Sequence, residues 1–284
     1  MRPVTRPEWG PRWVGVAAGL AVTDAFGRYC AACEVRLSGP GVAWTAASGE
    51  VVEGVATAAL WPDLFGLCDF CARAATAVPA GSRGEPLLPD RDATFALGPA
   101  APFGYEPGPL ELAAPEIGLR SPHVVSRVGV APRSERAAET ARLFALDRPV
   151  VLTPVPALGE GEPEPSAELA VQLIESRDPR LMLRTEAWQY ANEAAELLEQ
   201  ARSVAKRAEL ARMVAHEVAS QGFWSVWATV LAERLRDPGL LWSIFAPAAP
   251  RPPGAAAAYQ PAEVCFWAFP STRDEWLVET AAWG

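Results

Sequence analysis

The sequence has little of what nucleic-acid-binding proteins and histidine-dependent enzymes use. Lys206 is the only lysine among 284 residues, histidine occurs twice, and the net charge is -9. Residues 16–100, which contain both CxxC motifs of the chain, hold 5 arginines against 9 aspartates and glutamates. Duplex DNA binding depends on basic surface that displaces counterions. The charge balance therefore argues against nucleic acid as a partner of this segment.

Long apolar runs and a secretory signal are also missing. A membrane-spanning helix needs about 20 mainly apolar residues. The longest apolar candidate, residues 14–22, is about half that length and contains glycine. Arg2, Arg6 and several prolines stand where a signal peptide would have its apolar segment. We therefore expect a cytoplasmic protein with reduced thiols that does not associate with a membrane.

Cysteine is scarce, but its spacing is informative. Four of the five cysteines form two CxxC motifs, at residues 30–33 and 68–71. Each motif can place two thiolates about 2.3 Å from a zinc ion, and two motifs complete a tetrahedral shell that leaves no position for water. We therefore predict one structural Zn²⁺ bound by Cys30, Cys33, Cys68 and Cys71. Iron in an all-sulfur site is the main alternative. A disulfide framework is disfavoured because a chain of this length without a signal is unlike a secreted scaffold.

The residues around the cysteines predict a small α+β module. Residues 42–44 and 51–55 indicate two short strands joined by a turn, and residues 72–77 favour a helix. A knuckle, a hairpin and a helix whose first turn carries the second cysteine pair make a treble-clef, or ββα-metal, arrangement. We expect this module to cover residues 16–97, after an N-terminal arm at residues 1–15.

The middle of the chain, residues 98–165, is rich in proline and glycine. We expect irregular structure there, with a few strands and one helix near residues 134–146. The acidic stretch at residues 160–165 predicts an exposed linker.

The remaining residues, 166–284, predict a mainly α-helical domain with a C-terminal tail. A helix is expected to begin at Ser166, a long helix to cover roughly residues 184–219, and a third to begin at Phe223, because apolar residues recur there at helical spacing. Cys265 lies between apolar residues of the tail, which predicts a buried thiol.

Several stretches resemble the zinc-containing HNH endonucleases. Residues 27–34 (GRYCAACE) resemble that family's YCxYCE motif, and residues 61–74 (WPDLFGLCDFCARA) resemble its W-x-N-L-L-x-C-x-x-C-N-x-x-K motif. Residues 1–4 (MRPV), 88–95 (LPDRDATF) and 221–227 (QGFWSVW) are similar to segments of one subgroup. The resemblance implies a ββα-metal fold with a structural zinc. Members of this broad group include nucleases of bacterial antiphage systems, such as the HNH partner of the Septu-type ATPase.

The catalytic residues of that family have no counterpart in this sequence. An HNH nuclease needs a hairpin histidine to deprotonate water and a metal to stabilise the leaving phosphate. Counted from Cys33, the histidine position falls near Thr45, preceded by Trp44. His123 and His216, the two histidines of the chain, lie far outside the finger.

Other functional positions of the family are also changed. Asp63 replaces the asparagine after the tryptophan, and Ala72 and Ala75 replace the asparagine and lysine after the last cysteine. Two interpretations follow. The first is a pseudonuclease without catalytic residues that binds another protein subunit, such as an ATPase, through the finger's former DNA-facing side or the helix at 220–245. The second is an active metal-dependent nuclease that uses displaced residues, with Asp63 and Glu50 as candidate metal ligands.

Overall fold

The computed structural model describes Arg2 and residues 4–91, 101–111, 124–150, 152, 166–245 and 254–260. Over these ranges the chain forms eight α-helices, three short 3₁₀ helices and two antiparallel sheets of two strands each. The helices are α1 (Ala18–Phe26), α2 (Asp69–Ala77), α3 (Glu135–Leu143), α4 (Ala167–Arg177), α5 (Arg180–Gln200), α6 (Val204–Gln221), α7 (Trp224–Leu235) and α8 (Pro238–Phe245). The strands are β1 (Val42–Thr45), β2 (Leu64–Leu67), β3 (Phe103–Glu111) and β4 (Val124–Pro132). The mixed α and β class is the one that the sequence predicts.

The first sheet corrects the predicted hairpin. β1 pairs with β2 in antiparallel register, whereas residues 51–55 contribute two isolated bridges, from Val51 to Trp44 and from Val55 to Ala17. All four residues of β2 are buried, and the side chains of Val51 and Val55 are exposed. Pairing β1 with β2 therefore buries more apolar surface than pairing it with residues 51–55. The helix predicted over residues 72–77 is confirmed as the end of α2.

The middle of the chain is more regular than its composition predicts. β3 and β4 pair along their whole length, from Phe103 opposite Pro132 to Glu111 opposite Val124. A two-stranded ribbon tolerates proline because each strand has an edge that needs no partner. The helix predicted near residues 134–146 is confirmed as α3, where the Ser134 hydroxyl accepts a hydrogen bond from the Ala137 amide. The predicted linker at residues 160–165 lies outside the described residues.

The long helix predicted over residues 184–219 is two helices, α5 and α6. The break is stabilised locally, because Ser203 Oγ accepts from the Lys206 amide and caps the start of α6. Arg207 Nε donates to the carbonyls of Leu198 and Ala201 at 3.2 Å, which satisfies the end of α5. The helix predicted to begin at Ser166 is confirmed as α4, capped by the Ser166 hydroxyl.

One buried apolar cluster joins the cysteine motifs to the helical region. It contains all four CxxC cysteines, Trp44 of β1, and residues of α5, α6, α7 and α8. A second, smaller cluster joins the N-terminal arm to α1 and Trp61. The domain boundaries given above stay predictions. In the part of the chain that the structure describes, no helix is long and apolar enough to span a membrane.

Candidate metal centre

The four cysteines of the CxxC motifs meet in the interior of the protein. Their sulfur atoms all lie within 4.8 Å of one another, and all four side chains are buried. The Cys33 and Cys68 sulfurs are 3.7 Å apart. A tetrahedral metal with bonds of about 2.3 Å to sulfur separates its ligands by about 3.8 Å. All four thiols are free, so the disulfide alternative does not form. The arrangement is compatible with a bound metal ion.

Backbone hydrogen bonds shape the first knuckle. The Cys30 amide donates to the Val35 carbonyl at 2.9 Å, and the Glu34 amide donates to the Cys30 carbonyl at 3.0 Å. Glu34 takes a left-handed conformation with a φ of 65°, which turns the chain back after Cys33. The Ala31 amide donates to the Gly66 carbonyl of β2 at 2.8 Å. These contacts place the Cys30 and Cys33 side chains over β2.

The second knuckle is the start of a helix. Cys68 is the N-cap residue of α2, with extended backbone angles, and Cys71 follows in the first turn. The Ala72 amide donates to the Cys68 carbonyl at 2.9 Å, which closes that turn. A helix N-terminus carries a partial positive charge that stabilises nearby thiolates. The helix N-terminus therefore favours the thiolate form, in which cysteine binds metals, and opposes the effect of burial on these two thiols.

The cluster's acid–base chemistry also suits a cation. Burial raises the pKa of the Cys71 thiol well above its usual value, and hydrogen bonds to Cys30 and Cys33 raise the pKa of Cys68. Burial opposes ionisation of Cys30 as well, but hydrogen bonds from the other three thiols outweigh it and lower the pKa of Cys30. Cysteine binds metals as the thiolate, so a divalent cation would displace protons from the thiols of the cluster.

Arg180, the first residue of α5, reaches the cysteine cluster from the helical region. Its Nη1 donates to Cys71 Sγ at 3.2 Å and to the Phe144 carbonyl at 3.1 Å. Its Nε and Nη2 donate to the carboxylate of Asp178 at 2.9 and 2.7 Å, and both side chains are 1% exposed. Burial disfavours the charge of Arg180, but Cys71 and Asp178 outweigh burial and raise its pKa well above the usual range.

Arg184 lies one helical turn after Arg180 and is also buried. Its Nη1 donates to the Leu146 carbonyl at 2.6 Å, and no carboxylate of a described residue lies within ion-pair distance of it. Burial lowers the pKa of Arg184, while Tyr105, Cys33 and Cys71 act in the opposite direction. A buried cation is costly without a nearby anion. A divalent metal with four thiolates carries net negative charge, so the two arginines fit a metal-loaded cluster.

The first knuckle contacts the helical region by a different route. The Phe223 amide donates to the Glu34 carbonyl at 3.2 Å, and Val35 forms an isolated bridge with Gly222. Glu34 Oε2 accepts from the Ser225 amide at 2.8 Å and from the Ser225 hydroxyl at 3.0 Å, close to the N-terminus of α7. The QGFWSVW segment is therefore the part of the helical region that docks on the CAACE knuckle.

The side of the finger that was expected to bind a partner, around Trp44, Thr45 and Ala72, is not exposed in the folded chain. Trp44, Thr45 and Ala72 are all buried, and the Trp44 ring contacts Phe144 edge-on with ring centroids 5.5 Å apart. The other predicted surface, at residues 220–245, is also largely covered, because residues 224–232 of α7 and 239–245 of α8 are buried. Both predicted surfaces belong to the protein's own core, since the helical region packs on the finger.

The other candidate residues stay apart from the cysteines. Asp63 forms an ion pair with Arg91, and Glu50 is exposed. Among the described residues, the CxxC cysteines are the only group of three or more histidine, cysteine, aspartate or glutamate side chains placed to hold a metal. His216 is exposed on α6, and His123 and Cys265 lie outside the described residues.

Sequence reasoning missed Arg180, Arg184 and Asp178. Asp178-Pro179-Arg180 is typical of an ordinary helix start, and nothing local links it to cysteines more than 100 residues earlier. The available signal was two arginines four residues apart on the face of α5 that also carries Ala187, Ala191 and Ala195.

Comparison of the chain with protein-family models, with curated proteins and with solved structures found no match. The resemblance to HNH endonucleases thus depends on the motifs quoted above, and membership of that family stays a prediction.

Proposed function

We propose that this protein is a ββα-metal scaffold that is stabilised by a structural zinc ion and has no nuclease activity. It serves as a partner-binding subunit of a bacterial multi-protein assembly. The observation that carries the proposal is the burial of the hairpin face at Trp44 and Thr45. In an HNH nuclease this position supplies the general base and must be open to a phosphodiester. Here the Thr45 hydroxyl bonds to Ser48 and the Trp44 ring contacts Phe144, a residue just after α3.

The four sulfur donors limit the proposed metal to two candidates. Four thiolates in tetrahedral positions suit zinc or iron, and a closed shell without a water position makes the ion structural. Zinc is the proposed ion. Iron in the same site would colour the purified protein through charge transfer from sulfur, so absorbance and elemental analysis distinguish the two.

Two further observations support a non-catalytic role. Asp63 forms a partly exposed ion pair with Arg91, so a metal would have to compete with the arginine for this carboxylate. Arg180 donates to Cys71 Sγ and Arg184 donates to the Leu146 carbonyl, and both side chains are buried, so neither is available to a phosphate. Removal of a general base alone lowers a rate by about 10² to 10⁴.

The test combines metal content, cleavage and association. We expect about one zinc per chain, since two CxxC motifs complete one tetrahedral shell, and no nicking of plasmid DNA with Mg²⁺ or Mn²⁺. We also expect the protein to co-purify from its native host with another subunit, such as an ATPase. Cleavage that disappears in Glu50→Ala or Asp63→Ala would establish the active-nuclease alternative. A protein that is monomeric in its native host would contradict the scaffold role.

A further inference from the structure

An open apolar groove runs between α5 and α6. Its volume is about 210 Å³, and Trp227 of α7 is among its lining residues. Tyr190, Leu197 and Met213 border it and are 47%, 55% and 61% exposed. They are among the most exposed large apolar side chains of the described residues. Contiguous exposed apolar surface of this kind is typical of protein-binding sites.

The charges of the groove are all of one sign. Glu193 of α5 and Glu217 of α6 are its two charged lining residues, one on each wall, and both are solvent-accessible. Gln221 Nε2 donates to Glu217 Oε1 at 2.7 Å, which leaves the negative charge in place. A ligand that buries the apolar floor must therefore place positive or neutral groups on both rims.

The spacing of the apolar residues indicates the shape of the ligand. Tyr190 and Leu197 are separated by two turns of α5, or roughly 10 Å at the rise of an α-helix. An amphipathic helix presents anchors at i, i+3 or i+4, and i+7 over the same length. We propose that the α5–α6 groove binds an amphipathic helix of a partner protein, with apolar anchors flanked by lysine or arginine. This inference rests on the proposed function and names the partner's contact segment.

Two other occupants are disfavoured by charge. A second copy of this chain, docked through the same groove, would bring glutamates from both copies together. The chain's own residues 261–284 contain one arginine against four aspartates and glutamates, the same sign as the rims. Both would place like charges opposite each other, which destabilises an interface.

Site-specific photocross-linking tests the proposal in the native host. A benzoylphenylalanine at position 213 reports on the groove, and one at position 169, where Leu169 of α4 is 48% exposed and lies outside the groove, is the control. We expect a cross-link from position 213, and not from 169, to a segment of a second protein that carries apolar residues with flanking lysine or arginine. A cross-link to an acidic segment, to residues 261–284 or to a second copy would overturn the proposal.

Charge reversal supplies an independent readout. With the cross-linked segment made as a peptide, the double variant Glu193→Lys/Glu217→Lys should bind it roughly tenfold more weakly, because two exposed ion pairs are replaced by like-charge contacts. Glu168→Lys on α4 should leave binding unchanged. Equal binding by all three proteins would contradict the proposed polarity.

If a partner co-purifies but cross-links only away from the groove, this inference fails while the scaffold function stands. If no partner co-purifies, the scaffold function itself fails.

Discussion

The two cysteine knuckles contact the helical region by different chemistry. At the first knuckle, the backbone of Glu34 and its carboxylate bind the start of α7. At the second, Arg180 of α5 donates directly to the Cys71 sulfur while Asp178 holds the guanidinium. The first junction consists of hydrogen bonds to the backbone and the carboxylate of Glu34. The second depends on the positive charge of Arg180. We therefore expect the stability of the second junction to depend on the metal, because the negative charge that faces Arg180 belongs to the cysteines that would bind the metal.

Among the variants that test this comparison, Cys71→Ser should have the largest effect on stability and metal content. It removes the sulfur that the metal site and the Arg180 junction share. Structural zinc supplies folding free energy of order 10 kcal/mol in small modules. We expect the variant to lose its metal by elemental analysis and to unfold at a much lower temperature than the wild type. Because the cysteines share one buried cluster with α5 and α7, unfolding should spread into the helical region.

Cys265→Ser is the matched control, since it removes the cysteine that belongs to neither CxxC motif. It should keep the metal. Full metal content and unchanged thermal stability in Cys71→Ser would show that Cys71 is not a ligand of the ion.

Arg180→Met should have the next largest effect. It removes the donor to Cys71 and leaves Asp178 buried without its partner, a change that costs about 3–5 kcal/mol when the pair is buried. Groups that hydrogen-bond to the ligands of a metal typically contribute about 10- to 100-fold to metal affinity. Urea unfolding and competition with a chelator measure the two effects separately.

The control for Arg180 is Arg234→Met. Arg234 forms an ion pair with Glu199 at 2.6 Å, but the two side chains are 33% and 41% exposed. Such surface pairs contribute about 0–1 kcal/mol, and metal affinity should not change. If Arg180→Met weakens neither stability nor metal binding beyond this control, the arginine junction is incidental.

Local signals explain what the sequence predicted well. The CxxC spacing predicted the four cysteines that lie together, and Ser166 marked the start of α4. These features depend on residues a few positions apart. The corrections concern choices made over longer distances. β2 lacks polar–apolar alternation because both of its faces are buried, so no period-two pattern identifies it. The break between α5 and α6 contains neither glycine nor proline.

The missed part of the site has the same cause. Arg180 follows Cys71 by more than 100 residues, and a single sequence gives no measure of which distant residues touch. The buried hairpin face was missed for a related reason: Trp44 and Thr45 look exposed in an isolated finger. Phe144 and the helical region cover them only in the whole fold.

Gly222→Ala should test the first junction with a smaller effect. Gly222 has a φ of 81° and a ψ of -150°, a region open essentially to glycine alone. An added Cβ would lie 2.6 Å from the Glu34 carbonyl oxygen. We expect a loss of about 2 kcal/mol of unfolding free energy with no change in metal content.

Gly54→Ala provides the comparison for Gly222. Gly54 also has a positive φ, 107°, but an added Cβ there would have nothing within 4 Å. Its cost should be the backbone strain alone and therefore smaller. Equal costs at the two glycines would mean that the contact between residue 222 and Glu34 adds nothing to the junction.

The smallest effect should come from Glu34→Gln, which tests directly whether the first junction depends on charge. Glutamine keeps an oxygen that can accept from the Ser225 amide and hydroxyl, so the hydrogen bonds survive and only the charge is lost. A negative charge near a helix N-terminus contributes about 0.3–1 kcal/mol, and charge-assisted hydrogen bonds are stronger than neutral ones. Glu34 also opposes the burial that lowers the pKa of Arg2 to about 10, so Arg2 loses a favourable field. We therefore expect a loss of about 1 kcal/mol in urea unfolding and unchanged chelator competition. A loss as large as that of Arg180→Met, or any loss of metal, would show that both knuckles dock through charge and that the contrast between them is false.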